Sequence, residues 1–195
     1  MVGLSPAGRD DLLRLARGAI RQALLADGAL DRLLAGTEIT PELAEPRGAF
    51  VSLKLPGSGP GAEKLRGCIG SLAATRPLWR GVIEIAPKAA LEDPRFPPLE
   101  PDELPATRIE VSALGALVPL ARTEDLVVGR HGVQLTLGSA HAVFLPQVAL
   151  EHGWSVEQLL RRLAHKAGLD EAAWRAADLE VFEAEVFGEP RPEAG

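Results

Sequence analysis

The sequence predicts an α+β fold in which a largely antiparallel sheet is flanked by helices. Helical and strand patterns follow one another in an irregular order, not as a regular alternation of β and α. Two pairs of neighbouring strands are each joined by a turn-rich segment, as in antiparallel hairpins. The chain has 195 residues, which suits one core of ordinary size with room for a smaller lobe.

The composition indicates a globular protein, which we expect in the cytoplasm. Apolar residues make up 46% of the chain and charged residues 25%, a balance that excludes a disordered protein. No apolar run reaches the ~18 residues that span a bilayer, and the opening MVGLSPAGRDDLL does not have the pattern of a secretory signal. The net charge of −6 argues against nucleic-acid binding over a broad surface but allows a local basic patch.

The first part of the chain predicts two helices and then a hairpin. Ser5 is a suitable capping residue for an amphipathic helix that runs to about Leu24. A shorter helix is expected near residues 30–34. Residues 48–70 alternate between apolar and polar on both sides of the turn-rich PGSGPGAE, and we therefore expect a β-hairpin with a long loop.

Prolines mark the middle of the chain. The helical pattern in RPLWRGVIEIAPKAALED contains Pro87, which predicts a kink or break near residues 83–87 because proline removes one helical hydrogen bond. The following DPRFPPLEPDELP contains five prolines and is expected to form an extended, stiff crossover.

The remaining elements are a strand, a second hairpin, two helices and a last strand. TRIEVSAL alternates and predicts a strand with one polar face. The second hairpin is expected to turn at Gly138-Ser139, and a short helix begins at Pro146. Ser155 and Gln158 form a capping box for the next helix, and LEVFEAEVF predicts the last strand.

The stretch KLRGCIG contains the only cysteine of the chain, which excludes an internal disulfide. In a regular strand, alternate side chains share a face. Leu65, Gly67 and Ile69 would then face the core, whereas Arg66 and Cys68 would share the opposite face.

Two interpretations of this arrangement stay open. A guanidinium beside Cys68 stabilises a thiolate, which is typical of nucleophilic or redox-sensitive cysteines. Gly67 and Gly70 would in that case leave the backbone open to a ligand. Alternatively, Cys68 is a small buried side chain, since free cysteines often are.

Two further residues are candidates for catalysis. His131, between two glycines at the entrance to a strand, is the most site-like of the four histidines. Its alternative role is that of a turn histidine bonded to the backbone. Glu110 lies on the polar face of its strand and would be a charge partner or base if that face meets Arg66, and a solvated side chain otherwise. Because no metal-ligand spacing appears, neither a metal nor a cofactor is predicted.

The ordered blocks RGAFVSLK, LRGCIGSL, DPRFPPLEPDELP, RIEVSAL, GRHGV, FLPQVALEHGW and VFEAEVF, from about residue 47 to 187, are similar to the AMMECR domain family. Its signature hexapeptide is LRGCIG, here residues 65–70. The resemblance implies one α+β domain over 1–187, with a larger and a smaller lobe and a cleft that the hexapeptide lines. The segment 188–195 would be a flexible tail.

The resemblance also implies a set of site residues. Those placed in the cleft, or beside it, are Arg66, Gly67, Cys68, Gly70, Ser71, Arg95, Phe96, Glu110, His131 and Gln147. In an enzyme, Cys68 would be the thiolate nucleophile, Arg66 would activate it, and Glu110 or His131 would assist.

The family's biochemical activity is unsettled. Prokaryotic members are often encoded with, or fused to, a Memo-type protein resembling extradiol dioxygenases and a radical-SAM enzyme, and this chain resembles the stand-alone first component of that system. We therefore expect a ligand- or partner-binding component that works with these two proteins. The alternatives are a cysteine-dependent enzyme and an RNA- or nucleotide-binding regulator, of which the acidic charge fits the second least.

Overall fold

The computed structural model of the protein describes residues 3–58 and 62–190. In these ranges the helices are α1 (Pro6–Leu25), α2 (Ala29–Gly36), α3 (Pro41–Ala44), α4 (Leu78–Leu91), α5 (Pro146–Glu151) and α6 (Val156–Lys166). The strands are β1 (Ala49–Pro56), β2 (Glu63–Ser71), β3 (Arg108–Leu114), β4 (Val118–Pro119), β5 (His131–Leu137), β6 (Ala140–Phe144) and β7 (Asp178–Gly188). Within the described residues, no helix combines the length and the apolar character needed to cross a membrane.

The chain forms a larger and a smaller unit. The larger comprises Met1–Ala113 and Glu185–Gly195, and the smaller comprises Leu114–Ala184. Each contains helices and antiparallel strand pairs, so the predicted α+β class with antiparallel pairing is confirmed. The last strand, β7, passes from the smaller unit to the larger at Glu185.

The larger unit is built on the strand order β2-β1-β3, with one sheet face packed against helices. The alternation seen in the sequence of β1 creates this face, because Val51 and Leu53 are buried whereas their polar neighbours are not. Together with Ile109 and Val111 of β3, they form a core with Val82 of α4. The hydrophobic effect thus fixes which sheet face the helices cover, and leaves the other face for polar residues.

The smaller unit has its own core and the strand order β4-β7-β5-β6. The predicted hairpin turn is confirmed at Gly138, whose φ of 61° lies in the left-handed region that glycine tolerates. Leu135 of β5 packs with Leu160 and Leu163 of α6, and the predicted capping box at Ser155 begins that helix.

Two predictions about the proline-rich part of the chain need correction. The predicted break near residues 83–87 is absent, because helix α4 runs through Pro87, and the burial of Ala86 and Ala89 in the core offsets the hydrogen bond that proline removes. A kink at Pro87 stays a prediction. The crossover is not extended throughout: residues Pro101–Ala106 form a 3₁₀ helix. A capping box at its first turn, between Glu100 and the third helical residue, stabilises it.

The segment that the sequence predicts as a flexible tail is anchored at its start. Gly188 still belongs to β7. The Glu189 carboxylate accepts hydrogen bonds from Arg17 and from the Ile109 amide. Residues 191–195 lie outside the described residues.

Gly67 permits a close approach of α4 to the sheet. A Cβ atom at this position would lie 2.1 Å from the carbonyl oxygen of Ala89 in α4. Real Cβ atoms do not come so near to a backbone atom, and a helix carbonyl has little freedom to move. The glycine therefore lets α4 lie against β2.

We expect Gly67→Ala to lower the free energy of unfolding by about 2–3 kcal/mol through overpacking. Gly81→Ala is the matched control: this glycine lies in α4 with no atom within 4 Å of an added Cβ. Since alanine favours helix, it should stabilise the protein by about 0.5–1 kcal/mol. Urea denaturation of both variants measures the difference, and equal effects would contradict the close approach at Gly67.

Candidate functional site

A β-bulge sets the side-chain directions in the hexapeptide. The register between β1 and β2 slips by one residue, so Arg66 has no partner on β1 and Leu65 pairs with Lys54. As a result Leu65 is 41% exposed and Arg66 is buried. The prediction that Leu65 faces the core, and that Arg66 shares an exposed face with Cys68, was therefore wrong.

Arg66 is held by an ion pair and two backbone carbonyls. Its Nε and Nη2 donate to the two carboxylate oxygens of Glu103 at 2.9 and 2.8 Å. Nη1 and Nη2 also donate to the carbonyls of Pro97 and Pro98 at 2.9 and 3.1 Å. Glu103 raises the pKa of Arg66, and Arg66 lowers the pKa of Glu103 to about 2. The charge of Arg66 is thus neutralised by Glu103 within the fold.

The main chain of Cys68 is held at the outer edge of β2. Its amide donates to Oδ2 of Asp93 at 2.8 Å, and its carbonyl accepts from Nη2 of Arg95 at 3.2 Å. The Asp93 side chain is only 3% exposed and also accepts from the Arg95 guanidinium. Arg95 holds the pKa of Asp93 well below its usual range. This pair satisfies strand-edge groups that would otherwise be open to another strand.

Cys68 belongs to a polar row that crosses three strands. Because its peptide groups point outward, Cys68 and its β1 partner Ser52 form a non-hydrogen-bonded pair, in which side chains come close. Ser52 Oγ donates to Cys68 Sγ at 3.2 Å. Ser52 also pairs with Glu110 on β3. We call Cys68, Ser52, Glu110 and the adjacent Lys54 the Cys68 row.

The carboxylate of the row lies among cations. Glu110 Oε2 accepts from Lys54 Nζ at 2.9 Å and from Arg108 Nη1 at 3.4 Å. Arg108 also lies 3.3 Å from Glu63. The predicted partner of Glu110, Arg66, is thus replaced by two other cations, and the charges around the row balance in pairs.

Arg95 takes the place beside Cys68 that the sequence analysis gives to Arg66. Asp93 raises the pKa of Arg95, and Cys68 adds a smaller contribution of the same sign. The Arg95 side chain is 55% exposed, and its guanidinium carbon lies 5.5 Å from the centre of the Phe96 ring. The Arg95 cation thus lies between the Phe96 ring and the main chain of Cys68, whose side chain is half-buried.

The two glycines of the hexapeptide do not leave open space. The volume next to Gly67 is filled by α4, as described above, and a Cβ at Gly70 would lie 2.3 Å from the ring of Phe50. Ser71, at the exposed end of β2, accepts a hydrogen bond from the Ala73 amide. The clearance that was expected for a ligand is thus occupied by the protein itself.

Two of the sequence-predicted residues belong to the smaller unit. Nδ1 of His131 accepts a hydrogen bond from the Val127 amide at 3.2 Å, which is the turn-histidine interpretation. Gln147 lies at the start of α5, and its Oε1 has no hydrogen-bond partner among the described residues. In the described part of the chain, no group of three or more His, Cys, Asp or Glu side chains could hold a metal ion.

Sequence analysis missed Ser52, Lys54, Asp93 and Glu103. For Ser52 and Lys54 a signal existed, because they lie on the polar face of the alternating strand RGAFVSLK. The long hairpin loop does not fix the register that brings Ser52 opposite Cys68. For Asp93 and Glu103 the sequence carries no comparable signal, because they reach β2 from a segment 25 and 37 residues away.

Comparisons with known proteins find relatives along most of the chain. The AMMECR1 family model matches residues 13–187. The chain is 39% identical to protein MK0488 of Methanopyrus kandleri, covering 93% of this chain and 88% of that protein. It is also 39% identical to protein TK0174 of Thermococcus kodakarensis, covering 93% and 90%. The crystal structure of uncharacterized protein PH0010 from Pyrococcus horikoshii matches with a TM-score of 0.79 and 34% identity, covering 94% and 92%.

The ion pair of Glu103 predicts an acid dependence of stability. Its folded-state pKa of about 2 lies below the ordinary value of 4.5, so the stabilisation is complete above about pH 4.5 and is lost as the pH falls towards 2. We expect Glu103→Gln to lower the free energy of unfolding by about 2 kcal/mol at pH 7, because Arg66 loses its charged partner. The loss is not larger because Arg66 keeps its hydrogen bonds to two carbonyls.

Chemical denaturation of the native protein and of the Glu103→Gln variant at a series of pH values tests this pH dependence. The difference in unfolding free energy should shrink as the pH falls from 4.5 to 2, because only the native protein loses the charge of Glu103. Asp93 titrates in both proteins, and its effect cancels in the comparison. A difference that does not change with pH would refute the assignment.

Proposed function

This chain belongs to the AMMECR1 family, and we propose that it is a binding component whose Cys68 row receives a ligand or a segment of a partner protein. The partners we propose are a Memo-type protein and a radical-SAM protein. The proposal concerns the polar face of the β2-β1-β3 sheet, where the exposed Leu65 and the partly buried row lie opposite the helix-covered core.

The observation that carries the proposal is the way in which Cys68 is held. A buried carboxylate, Asp93, costs desolvation energy, and two of its contacts serve to fix the Cys68 amide and the Arg95 guanidinium. The Cys68 side chain is nevertheless left partly accessible. Rigid backbone beneath accessible side chains is favourable for binding, because little conformational entropy is lost when a partner arrives.

The neighbours of the thiol favour binding over catalysis. Glu110, the predicted base, is engaged by Lys54 and Arg108. Ser52, whose hydroxyl donates to the sulfur, is a neutral group and offers no general base. A row with its charges already paired suits a ligand that offers hydrogen bonds and apolar surface rather than a large net charge.

Leu65 provides the sharpest test of the proposed surface. It is an exposed leucine on the same sheet face as the row, so Leu65→Asp should preserve the fold while placing a charge in the interface. Removing one apolar contact and burying a charge should weaken partner binding by about tenfold or more. Binding is measured by biolayer interferometry with purified Memo-type and radical-SAM proteins from the same genome.

Leu25→Asp is the matched control, because Leu25 is also an exposed leucine of the larger unit and lies at the end of α1. It should bind as the native protein does. If Leu65→Asp binds as tightly as the native chain, or if the native chain binds neither protein, this proposal is wrong.

A second candidate function is supported by Arg95. Its guanidinium donates to the Cys68 carbonyl and is more than half exposed, so it is placed to attract a thiolate or an anionic substrate, as in cysteine-dependent enzymes. In such an enzyme Cys68 would be the nucleophile, and Arg95, in place of Arg66, would be its cation.

Alkylation by iodoacetamide, in which a thiolate displaces iodide and forms a carbon–sulfur bond, tests this candidate. We expect Arg95→Gln to slow the modification of Cys68 by about fivefold or more, and Arg95→Lys to keep most of the rate because it keeps the charge. Intact-protein mass spectrometry gives the rates, since Cys68 is the only cysteine. Equal rates in all three proteins would exclude the enzymatic candidate without affecting the binding test at Leu65.

A further inference from the structure

A groove in the larger unit, distinct from the Cys68 row, is lined by arginines. It lies between α1, α2 and the chain that follows β7, with a volume of about 800 Å³. Arg14, Arg17 and Arg21 of α1 and Arg32 of α2 line it, and the carboxylates in the lining are Asp10 and Glu189. We call it the arginine groove. A local basic patch of this kind is compatible with the net charge of −6.

The floor of the groove is apolar because α1 and α2 pack closely. A Cβ at Gly18 of α1 would lie 2.4 Å from a methyl group of Leu33 and 3.6 Å from the Cα of Leu30, so the glycine admits α2. Leu13 and Leu33 then form part of the lining. The result is an apolar channel bordered by guanidinium groups, which suits a peptide better than a free ion.

One end of the groove already binds a carboxylate of this chain. Arg17 Nε and Nη2 each donate to one carboxylate oxygen of Glu189 at 2.5 Å. Glu189 and Pro190, which follow β7, line the groove beside it. Arg17 also donates to the carbonyls of Leu104 and Thr107, so all three of its nitrogens are used. Arg17 therefore shows the chemistry of the groove but has no donor group left for a partner.

The other three arginines keep donor groups free. Within the described residues, Arg14 uses Nη1 for Asp11, Arg21 uses Nε for Asp27, and Arg32 uses Nη1 for the Asp27 carbonyl. The other two nitrogens of each guanidinium make no hydrogen bond or ion pair with the described chain. The side chains of Arg14 and Arg21 are 61% and 55% exposed. Ion pairs as exposed as theirs are weak, and a partner's carboxylates can compete for the same guanidinium groups.

We infer that the arginine groove binds an extended, acidic segment of a partner protein. Arg14 and Arg21 are seven residues apart on one helix, which is about 10 Å along its axis. In a polyproline II segment, an extended conformation with three residues per turn and a rise of about 3.1 Å per residue, side chains three positions apart lie on the same side and about 9 Å apart. Two carboxylates at that spacing can meet the two guanidinium groups, with the apolar floor contacting the residues between them. The planar guanidinium fork matches a carboxylate in the manner that Glu189 shows.

The probe is a fluorescein-labelled synthetic peptide with Glu at every third position, and the same peptide with Gln in place of Glu is its control. Fluorescence anisotropy should show binding of the Glu peptide to the full chain and at least tenfold weaker binding of the Gln peptide. Binding should weaken as NaCl is raised from about 0.05 to about 0.5 M, because salt screens exposed charges. Equal affinity for the two peptides, or no binding of the Glu peptide, would overturn the inference.

The protein variants replace the three arginines whose guanidinium groups keep free donors. Together, Arg14→Gln, Arg21→Gln and Arg32→Gln should weaken binding of the Glu peptide by about tenfold. Arg162→Gln, an equal change at an exposed arginine of α6, is the control for each substitution and should have no effect. Arg32→Gln alone, which breaks no side-chain ion pair, should still weaken binding if the triple variant is unstable.

Two results would contradict the inference. The first is an undiminished affinity of Arg32→Gln and of the folded triple variant for the Glu peptide. The second is displacement of the peptide by tripolyphosphate at a lower concentration than by the unlabelled Glu peptide, which would assign the groove to a phosphate ligand.

Discussion

The ion pair between Arg66 and Glu103 holds the strand on which the candidate site is built. Arg66 occupies the bulge of β2, and its guanidinium joins that strand to the proline-rich segment. Because the same segment carries Asp93 and Arg95, the contacts that hold the Cys68 backbone depend on the bulge. A regular strand would instead turn Arg66 towards the exposed face and remove this anchor.

Three arginines of the larger unit make the same combination of contacts. Arg17, Arg66 and Arg95 each bind one carboxylate and at least one main-chain carbonyl. The carbonyls lie at an edge strand and in segments around the prolines, where regular pairing is interrupted. A planar group with several donors satisfies such carbonyls and a carboxylate at once. Lysine, with a compact charge, would not replace these contacts.

Local signals were predictable from the sequence, whereas contacts between distant segments were not. The Ser5 and Ser155 caps and the Gly138 turn are encoded within a few residues, and the structure confirms them. The bulge at Arg66 has no local signature, and the partners of the hexapeptide come from a segment that the sequence defines only as proline-rich. Strand alternation alone therefore assigned the cation beside Cys68 to Arg66, whereas the fold supplies Arg95.

The path of β7 affects the order in which this protein can fold as it is synthesised. Glu185 accepts hydrogen bonds from the Leu4 amide and from Arg9 and Arg47, and Glu189 binds Arg17. Both carboxylates leave the ribosome after the whole of the smaller unit. The amino-terminal helix therefore meets these two carboxylates only after the smaller unit has been synthesised. The larger unit is thus closed by a segment made after the smaller unit, although the other core partners of that helix precede it.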